Sequence, residues 1–133
     1  MTQSVTKYIQ FERPVAQAYA FLADPSTMPR WAIHNVNSIR PLGNGRWEMD
    51  TPRGKGGLIP HYDESTGILD HEFIDAGEAH WQVAARVVPV NANESVYMIT
   101  LNNPGAMPLD AFQRGMELMD EELVALKACI EAL

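Results

Sequence analysis

The last part of the chain reads LDAFQRGMELMDEELVALKACIEAL, residues 109–133. Its apolar side chains recur at alternating spacings of 3 and 4 residues, the period of one face of an α-helix. They are Leu109, Phe112, Met116, Met119, Leu123, Leu126 and Ile130. Asp110 is predicted to cap the helix, with Gln113 in the capping-box position. Acidic residues are predicted on the remaining surface, so the stripe must be buried against another apolar surface.

That second surface is predicted from residue 37 onward, where the period of the sequence changes to two. Strands are predicted at residues 38–42, 46–51, 57–64, 68–74, 80–90 and 95–102. Asn44-Gly45 lies between the first two and is a strong signal for a two-residue hairpin. The turns between the later strands are equally short, which predicts an antiparallel meander.

The beginning of the chain supplies one more strand and two short helices. Residues 5–11 alternate as a strand, and Pro14 is well placed to open a helix that continues to Leu22. A second short helix is predicted at residues 26–31. The expected architecture is an α+β helix-grip arrangement of residues 1–133 in one domain. In it, a curved antiparallel sheet of about six or seven strands wraps around the long C-terminal helix.

The composition narrows the class of function. The 133 residues include seventeen acidic and ten basic side chains, for a net charge of −7. An acidic surface repels nucleic-acid phosphates and anionic lipid, so neither is an expected partner. No stretch resembles a leader or a membrane span. The single cysteine, Cys129, cannot form an intrachain disulfide and is predicted to be a small buried side chain, so the reducing cytoplasm is the expected compartment.

Several short motifs resemble those of the SRPBCC or START-like superfamily, which includes Bet v 1-like and polyketide cyclase/dehydrase-like proteins. They are FERPV (11–15), YAFL (19–22), DP (24–25), PRW (29–31), EEL (121–123) and LK (126–127). The resemblance covers nearly the whole chain and implies an internal cavity beneath the C-terminal helix. These motifs are markers of the fold, and none is a catalytic signature.

A cavity of this kind is expected to hold a small apolar or aromatic molecule, lipid-like or polyketide-like, without a cofactor. Met116 and Met119 are predicted to face inward from the helix, where flexible thioether side chains adapt to variable ligands. The residues predicted to line the cavity are Trp47, Met49, His61, Leu69, His71, Phe73, Trp81, Tyr97, Phe112, Met116 and Met119.

Two histidines are candidates for acid–base chemistry. If Leu69 and Phe73 face the cavity, His71 faces it too, and His61 could do so from the adjacent strand. The alternative is that both are surface or structural histidines, as is favoured for His34 and His80. His61-x-Asp63 with His71 could in principle ligate a metal, but no helical histidine spacing, cysteine pairing or His-x-His motif supports such a site, so no metal is expected. Tyr97 with Arg86 is a further candidate polar contact for a ligand.

Three hypotheses therefore remain open. The leading one is binding of a small apolar molecule. The second is an enzyme of the cyclase, dehydratase or hydrolase kind, with His61 and His71 as acid and base. The third is a protein-interaction module that uses an open sheet edge. The sequence does not determine the ligand or the oligomeric state.

Overall fold

The computed structural model describes residues 3–103 and 107–133. Strand β1 (Gln3–Phe11) leads into helix α1 (Val15–Leu22), a 3₁₀ turn (Pro25–Thr27) and the short helix α2 (Met28–Trp31). Six strands follow: β2 (Ser38–Gly43), β3 (Arg46–Thr51), β4 (Gly54–Asp63), β5 (Ile68–Ile74), β6 (His80–Asn91) and β7 (Glu94–Asn103). The long helix α3 (Leu109–Glu131) ends the described chain. This element order confirms the predicted helix-grip fold.

The seven strands form one antiparallel sheet in the order β1-β7-β6-β5-β4-β3-β2. Consecutive strands pair as hairpins from β2 to β7, and β1 closes the series by pairing with β7. All three helices lie on one side of the sheet, which we call the inner face. Helix α3 packs on β1, α1 and α2, whereas α1 packs on β6 and β7.

The turn between β2 and β3 confirms the hairpin predicted at Asn44-Gly45. Both residues adopt positive φ values, 55° and 74°, as a type I′ turn requires. By contrast, the predicted start of the strand at residues 57–64 is wrong, because the corresponding strand β4 begins at Gly54. The sequence did not predict this longer strand because glycines are depleted in strands. At Gly56, however, a Cβ atom would lie 2.7 Å from the Ile74 carbonyl oxygen. The close approach of β5 therefore favours glycine at that position.

The start of α3 also differs from its prediction. The N-cap is Pro108, without a side-chain cap, and Asp110 lies inside the first turn instead of preceding it. The predicted capping box is therefore wrong. Pro108 has the extended conformation of a residue that precedes a helix, so the helix begins at Leu109. The carboxylate of Asp110 accepts a hydrogen bond from Ala111 N at 2.9 Å and still lies favourably near the positive end of the helix dipole.

Candidate ligand-binding site

The strand register places large aromatic side chains in one row across the inner face. Trp47 of β3 is paired with Leu58 of β4, Leu58 with Phe73 of β5, and Phe73 with Trp81 of β6. Leu58 is fully buried, whereas the three aromatic side chains are only half-buried. We call Trp47, Phe73 and Trp81 the aromatic row. Part of the apolar area of these side chains on the inner face is therefore left uncovered by the protein's own packing.

The N-terminal half of α3 is the less buried half of that helix. Of its five buried residues, only Phe112 lies there, while Glu122, Leu123, Leu126 and Ile130 belong to the C-terminal half. Met116 and Met119 are half-buried, and Met119 packs against the core. Two adaptable methionines therefore lie on the part of α3 that is least committed to core packing.

A small polar cavity lies between the inner face and the two short helices. It is lined by Leu22, Met28, Trp31, Tyr62, Leu69, His71 and Tyr97, and it offers about 10 Å³ to the centre of a water molecule. That is roughly the room that one water needs. The internal cavity that the resemblance implies is therefore small in this part of the interior, because aromatic side chains from both layers fill it.

His71 is the titratable group of this cavity. Its side chain is 7% exposed, and its ring Nδ1 lies 3.1 Å from the Leu69 carbonyl oxygen. Because a carbonyl can only accept, Nδ1 carries the proton, and in the neutral ring Nε2 becomes an acceptor. Burial lowers the pKa of His71 despite the hydrogen bond to Leu69 and the nearby Asp70. The imidazole is therefore neutral at pH 7 and presents an acceptor.

Three further residues that line the same cavity carry polar groups. Burial raises the pKa of Tyr62 to about 12 and also raises the pKa of Tyr97, which is 2% exposed, so both phenols stay protonated. The indole Nε1–H of Trp31 is buried and has no hydrogen-bond partner among the described residues. Since a buried donor without a partner costs about 1–3 kcal/mol, an acceptor placed at this N–H would be stabilising.

Most of the predicted cavity residues share the inner face, but His61 does not. His61 is paired with Asp70 across β4 and β5, whereas His71 is paired with Pro60, so the two imidazoles lie on opposite faces of the sheet. His61 is also exposed. The interpretation of His61 as a cavity residue and acid–base partner of His71 is therefore wrong. The prediction depended on the register between β4 and β5. The alternation of apolar residues within each strand does not specify that register.

Arg86 is another candidate on the outer face. It is paired with Met98, whereas Tyr97 is paired with Val87 on the inner face, so Arg86 and Tyr97 do not face the same site. The Arg86 guanidinium instead donates to the Thr66 carbonyl oxygen at 2.9 Å. Residues 3–103 and 107–133 contain no group of three or more His, Cys, Asp or Glu side chains arranged to hold a metal ion.

Sequence reasoning assigned no role to two residues that are prominent in the structure. Tyr62 lines the polar cavity, and its inward direction follows from the parity of Leu58 and Pro60 in the same strand. Glu122 is 1% exposed, although its type suggested a solvated position. It lies 3 residues after Met119 and 4 before Leu126, a helical spacing that places it at the edge of the apolar stripe.

Comparison with solved structures identifies the class of fold. The chain superposes on a START superfamily protein from Mycobacterium smegmatis with a TM-score of 0.76 and 13% identity, over 97% of each chain. The di-domain aromatase/cyclase BexL gives a TM-score of 0.76 and 17% identity over 97% of this chain and 46% of that one. The Zhui aromatase/cyclase from Streptomyces sp. R1128 gives 0.71 and 11% identity over 99% and 93%.

This chain accordingly has the helix-grip fold of SRPBCC or START-like proteins, as the sequence motifs suggested. No protein-family model and no curated protein matches the sequence. Within the described part of the chain, no helix is long and apolar enough to cross a membrane.

Proposed function

We propose that the protein binds a small apolar or aromatic molecule between the aromatic row and the N-terminal half of α3. The observation that carries this proposal is the half-buried state of Trp47, Phe73 and Trp81 on the inner face of the sheet. Large aromatic side chains that are incompletely covered on the inner face of a sheet are typical walls of a ligand pocket. The cytoplasm is the proposed compartment for this activity.

Entry of a ligand requires side chains of the interior to move, because the polar cavity offers only about 10 Å³. The methionines are suited to that movement. Met28 lines the cavity, and Met116 and Met119 lie on α3. Their unbranched side chains change rotamer at small cost and make favourable contacts with aromatic rings. A ligand ring can thus occupy space that a methionine side chain gives up.

We expect the variant Phe73→Ala to bind N-phenyl-1-naphthylamine, an uncharged aromatic dye, about tenfold or more weakly than the wild type. Burying a phenylalanine side chain contributes about 1.5–3 kcal/mol, and about 1.4 kcal/mol corresponds to a tenfold change in Kd. The measurement is a fluorescence titration of the dye with each protein. Native mass spectrometry of the freshly purified wild type, followed by denaturation, would identify any compound that co-purifies.

Tyr8→Ala is the matched control for Phe73→Ala. Tyr8 is 74% exposed and lies on the outer face, opposite Met98 of β7. Its removal should leave the Kd for the dye within about twofold. If the two variants weakened binding equally, or if the wild type bound neither the dye nor any co-purified compound, binding at the inner face would be refuted.

A second candidate function is an enzyme that uses His71 alone as the acid–base group. The neutral imidazole, held by Leu69 and surrounded by the phenols of Tyr62 and Tyr97, is a reasonable base in an enclosed site. The test is turnover of the co-purified compound. His71→Gln should abolish turnover while the compound still binds, whereas an unchanged rate would exclude His71 as the base.

A further inference from the structure

The polar cavity combines one fixed donor with one fixed acceptor. Trp31 Nε1–H can only donate, and it has no partner among residues 3–103 and 107–133. The neutral His71 ring, with Nδ1–H donated to the Leu69 carbonyl, can only accept through Nε2. An atom that satisfies both must accept one hydrogen bond and donate another. A hydroxyl group does both, whereas an ether or a carbonyl oxygen only accepts and an ammonium group only donates.

The size of the cavity and the charge of its lining restrict further which chemical group of a ligand can bind there. A volume of about 10 Å³ for the centre of a water molecule admits one oxygen atom, so the two oxygens of a carboxylate do not fit. Among the described residues, no lysine or arginine lines the cavity. An anionic group would therefore be buried without a cation, which is strongly unfavourable. The remaining lining phenols, Tyr62 and Tyr97, can donate to or accept from a neutral hydroxyl.

His71 also connects the cavity to the aromatic row. Its ring makes an edge contact with the ring of Phe73, with centroids 4.8 Å apart and planes at 86°. The two residues are on the same face of β5, so a ligand whose oxygen lies at His71 would have its body along β5 over Phe73. Phe73 is flanked there by Trp81. A flat aromatic body fits this neighbourhood best.

We infer that the polar cavity binds the hydroxyl group of an uncharged hydroxy-aromatic ligand, between Trp31 Nε1–H and His71 Nε2, with the ring of the ligand over the aromatic row. This inference deepens the proposed function and depends on it. In the absence of ligand, the same position suits one water molecule with the same two hydrogen bonds. A hydroxyl group reproduces the bonds of that water, which is the condition for displacing it without loss of affinity.

Three probes of nearly equal size test the inference in the wild-type protein. They are 2-naphthol, 2-methoxynaphthalene, which keeps the oxygen but lacks the donor, and 2-methylnaphthalene, which lacks both. Kd values from titration calorimetry should be about tenfold or more lower for 2-naphthol than for either analogue, because each analogue leaves a buried partner unsatisfied. This comparison needs no variant and therefore does not depend on the folding of one.

A pair of identical substitutions on the two faces of the sheet localises the effect. In His71→Leu, the preference for 2-naphthol over 2-methoxynaphthalene should fall to about twofold or less, because Trp31 then needs only an acceptor, which both probes supply, while 2-methylnaphthalene still binds more weakly. In His61→Leu, on the outer face of the neighbouring strand, the preference should remain as in the wild type. Circular dichroism and thermal unfolding of both variants confirm that they are folded before the Kd values are compared.

The outcomes separate this inference from the proposed function. Equal affinity of the wild type for the three probes would mean that the cavity holds water only, and would overturn the hydroxyl site while leaving apolar binding intact. Loss of the preference in both histidine variants would also overturn the assignment to His71. Failure of all three probes to bind would refute the proposed function itself.

Discussion

The substitution Gly67→Ala is expected to lower the free energy of unfolding by about 4 kcal/mol, among the largest effects of a single residue. Gly67 ends the turn between β4 and β5 with a φ of 74°, a conformation that costs about 1–2 kcal/mol for a residue with a Cβ atom. An added Cβ would also lie 2.1 Å from the Val87 carbonyl oxygen. Urea unfolding followed by circular dichroism measures the change.

The reason for this sensitivity is that the β4–β5 turn is docked on β6. Val87 N donates to the Gly67 carbonyl oxygen at 3.0 Å, and the Arg86 side chain donates to the Thr66 carbonyl oxygen at 2.9 Å. The turn cannot move away from the added methyl group without breaking these bonds. The clash is with backbone, so a change of side-chain rotamer does not relieve it.

Gly45→Ala is the matched control, since Gly45 has the same φ of 74° but nothing within 4 Å of an added Cβ atom. Gly45→Ala should lower the free energy of unfolding only by the cost of placing a residue with a Cβ atom at this positive φ, about 1–2 kcal/mol. Equal losses in the two variants would show that backbone conformation alone, and not the close approach of β6, determines the effect at Gly67.

The substitution Glu122→Ala is expected to cost about 3 kcal/mol, because it removes the only buried carboxylate among the described residues. The Glu122 carboxylate accepts hydrogen bonds from His34 N at 3.0 Å and from the side-chain amide of Asn35 at 3.0 and 3.2 Å. Asn35 in turn accepts from the Arg53 guanidinium at 3.1 Å. Truncation would leave these part-buried donors without the Glu122 acceptor and would release α3 from the segment that follows α2.

The neighbouring residue Glu121 supplies the control. Its side chain is exposed and lies 3.5 Å from His34 Nε2. Glu121→Ala should change stability by less than about 0.5 kcal/mol. The midpoint temperature of thermal unfolding of Glu122→Ala should be about 10 °C below that of the wild type. A loss at Glu121 as large as that at Glu122 would contradict the assignment of the effect to the buried hydrogen bonds.

Glu122 also predicts that the stability of the protein depends on pH. Burial raises the pKa of Glu122 above its ordinary value of 4.5, even though the His34 and Asn35 donors act in the opposite direction. The native state therefore retains a proton that the unfolded state releases. The contribution of Glu122 to stability is greatest below pH 4.5 and is lost as the pH rises through its native pKa.

Comparison of the wild type with Glu122→Gln isolates this contribution. From pH 4.5 to pH 7, the free energy of unfolding of the wild type should fall relative to that of the variant. Carboxylates whose pKa is lowered, such as those of Asp63 and Asp75, act in the opposite direction but are common to both proteins. A difference between the two proteins that stays constant with pH would contradict a raised pKa at Glu122.

The fold could be predicted from local patterns because each pattern has a direct physical cause. The stripe from Phe112 to Ile130 specifies a helix with one apolar face, and Asn44-Gly45 specifies a hairpin. Cap and strand boundaries were less accurate. At Pro108 and Gly54, the backbone conformation and the approach of another strand outweigh local preference, and neither is visible in the sequence nearby.

The site could be predicted only where the side chain's direction follows from the alternation of its own strand. Phe73, His71 and Leu69 share a strand, so their common face was correctly inferred. His61 was assigned to the wrong face because its direction depends on how β4 pairs with β5. The polar cavity gathers Trp31, Tyr62, His71 and Tyr97 from four separate elements, and no local spacing relates them.

Local sequence patterns were enough to specify the order and type of the elements and the acidic, apolar-cored character of the chain. These properties depend on interactions between residues that are close along the chain. Long-range packing was needed to bury His71 with one nitrogen fixed, to bring Trp31, whose N–H has no partner among the described residues, to the same cavity, and to enclose Glu122. Such facts depend on strand register and helix packing, which bring together residues that are distant in sequence.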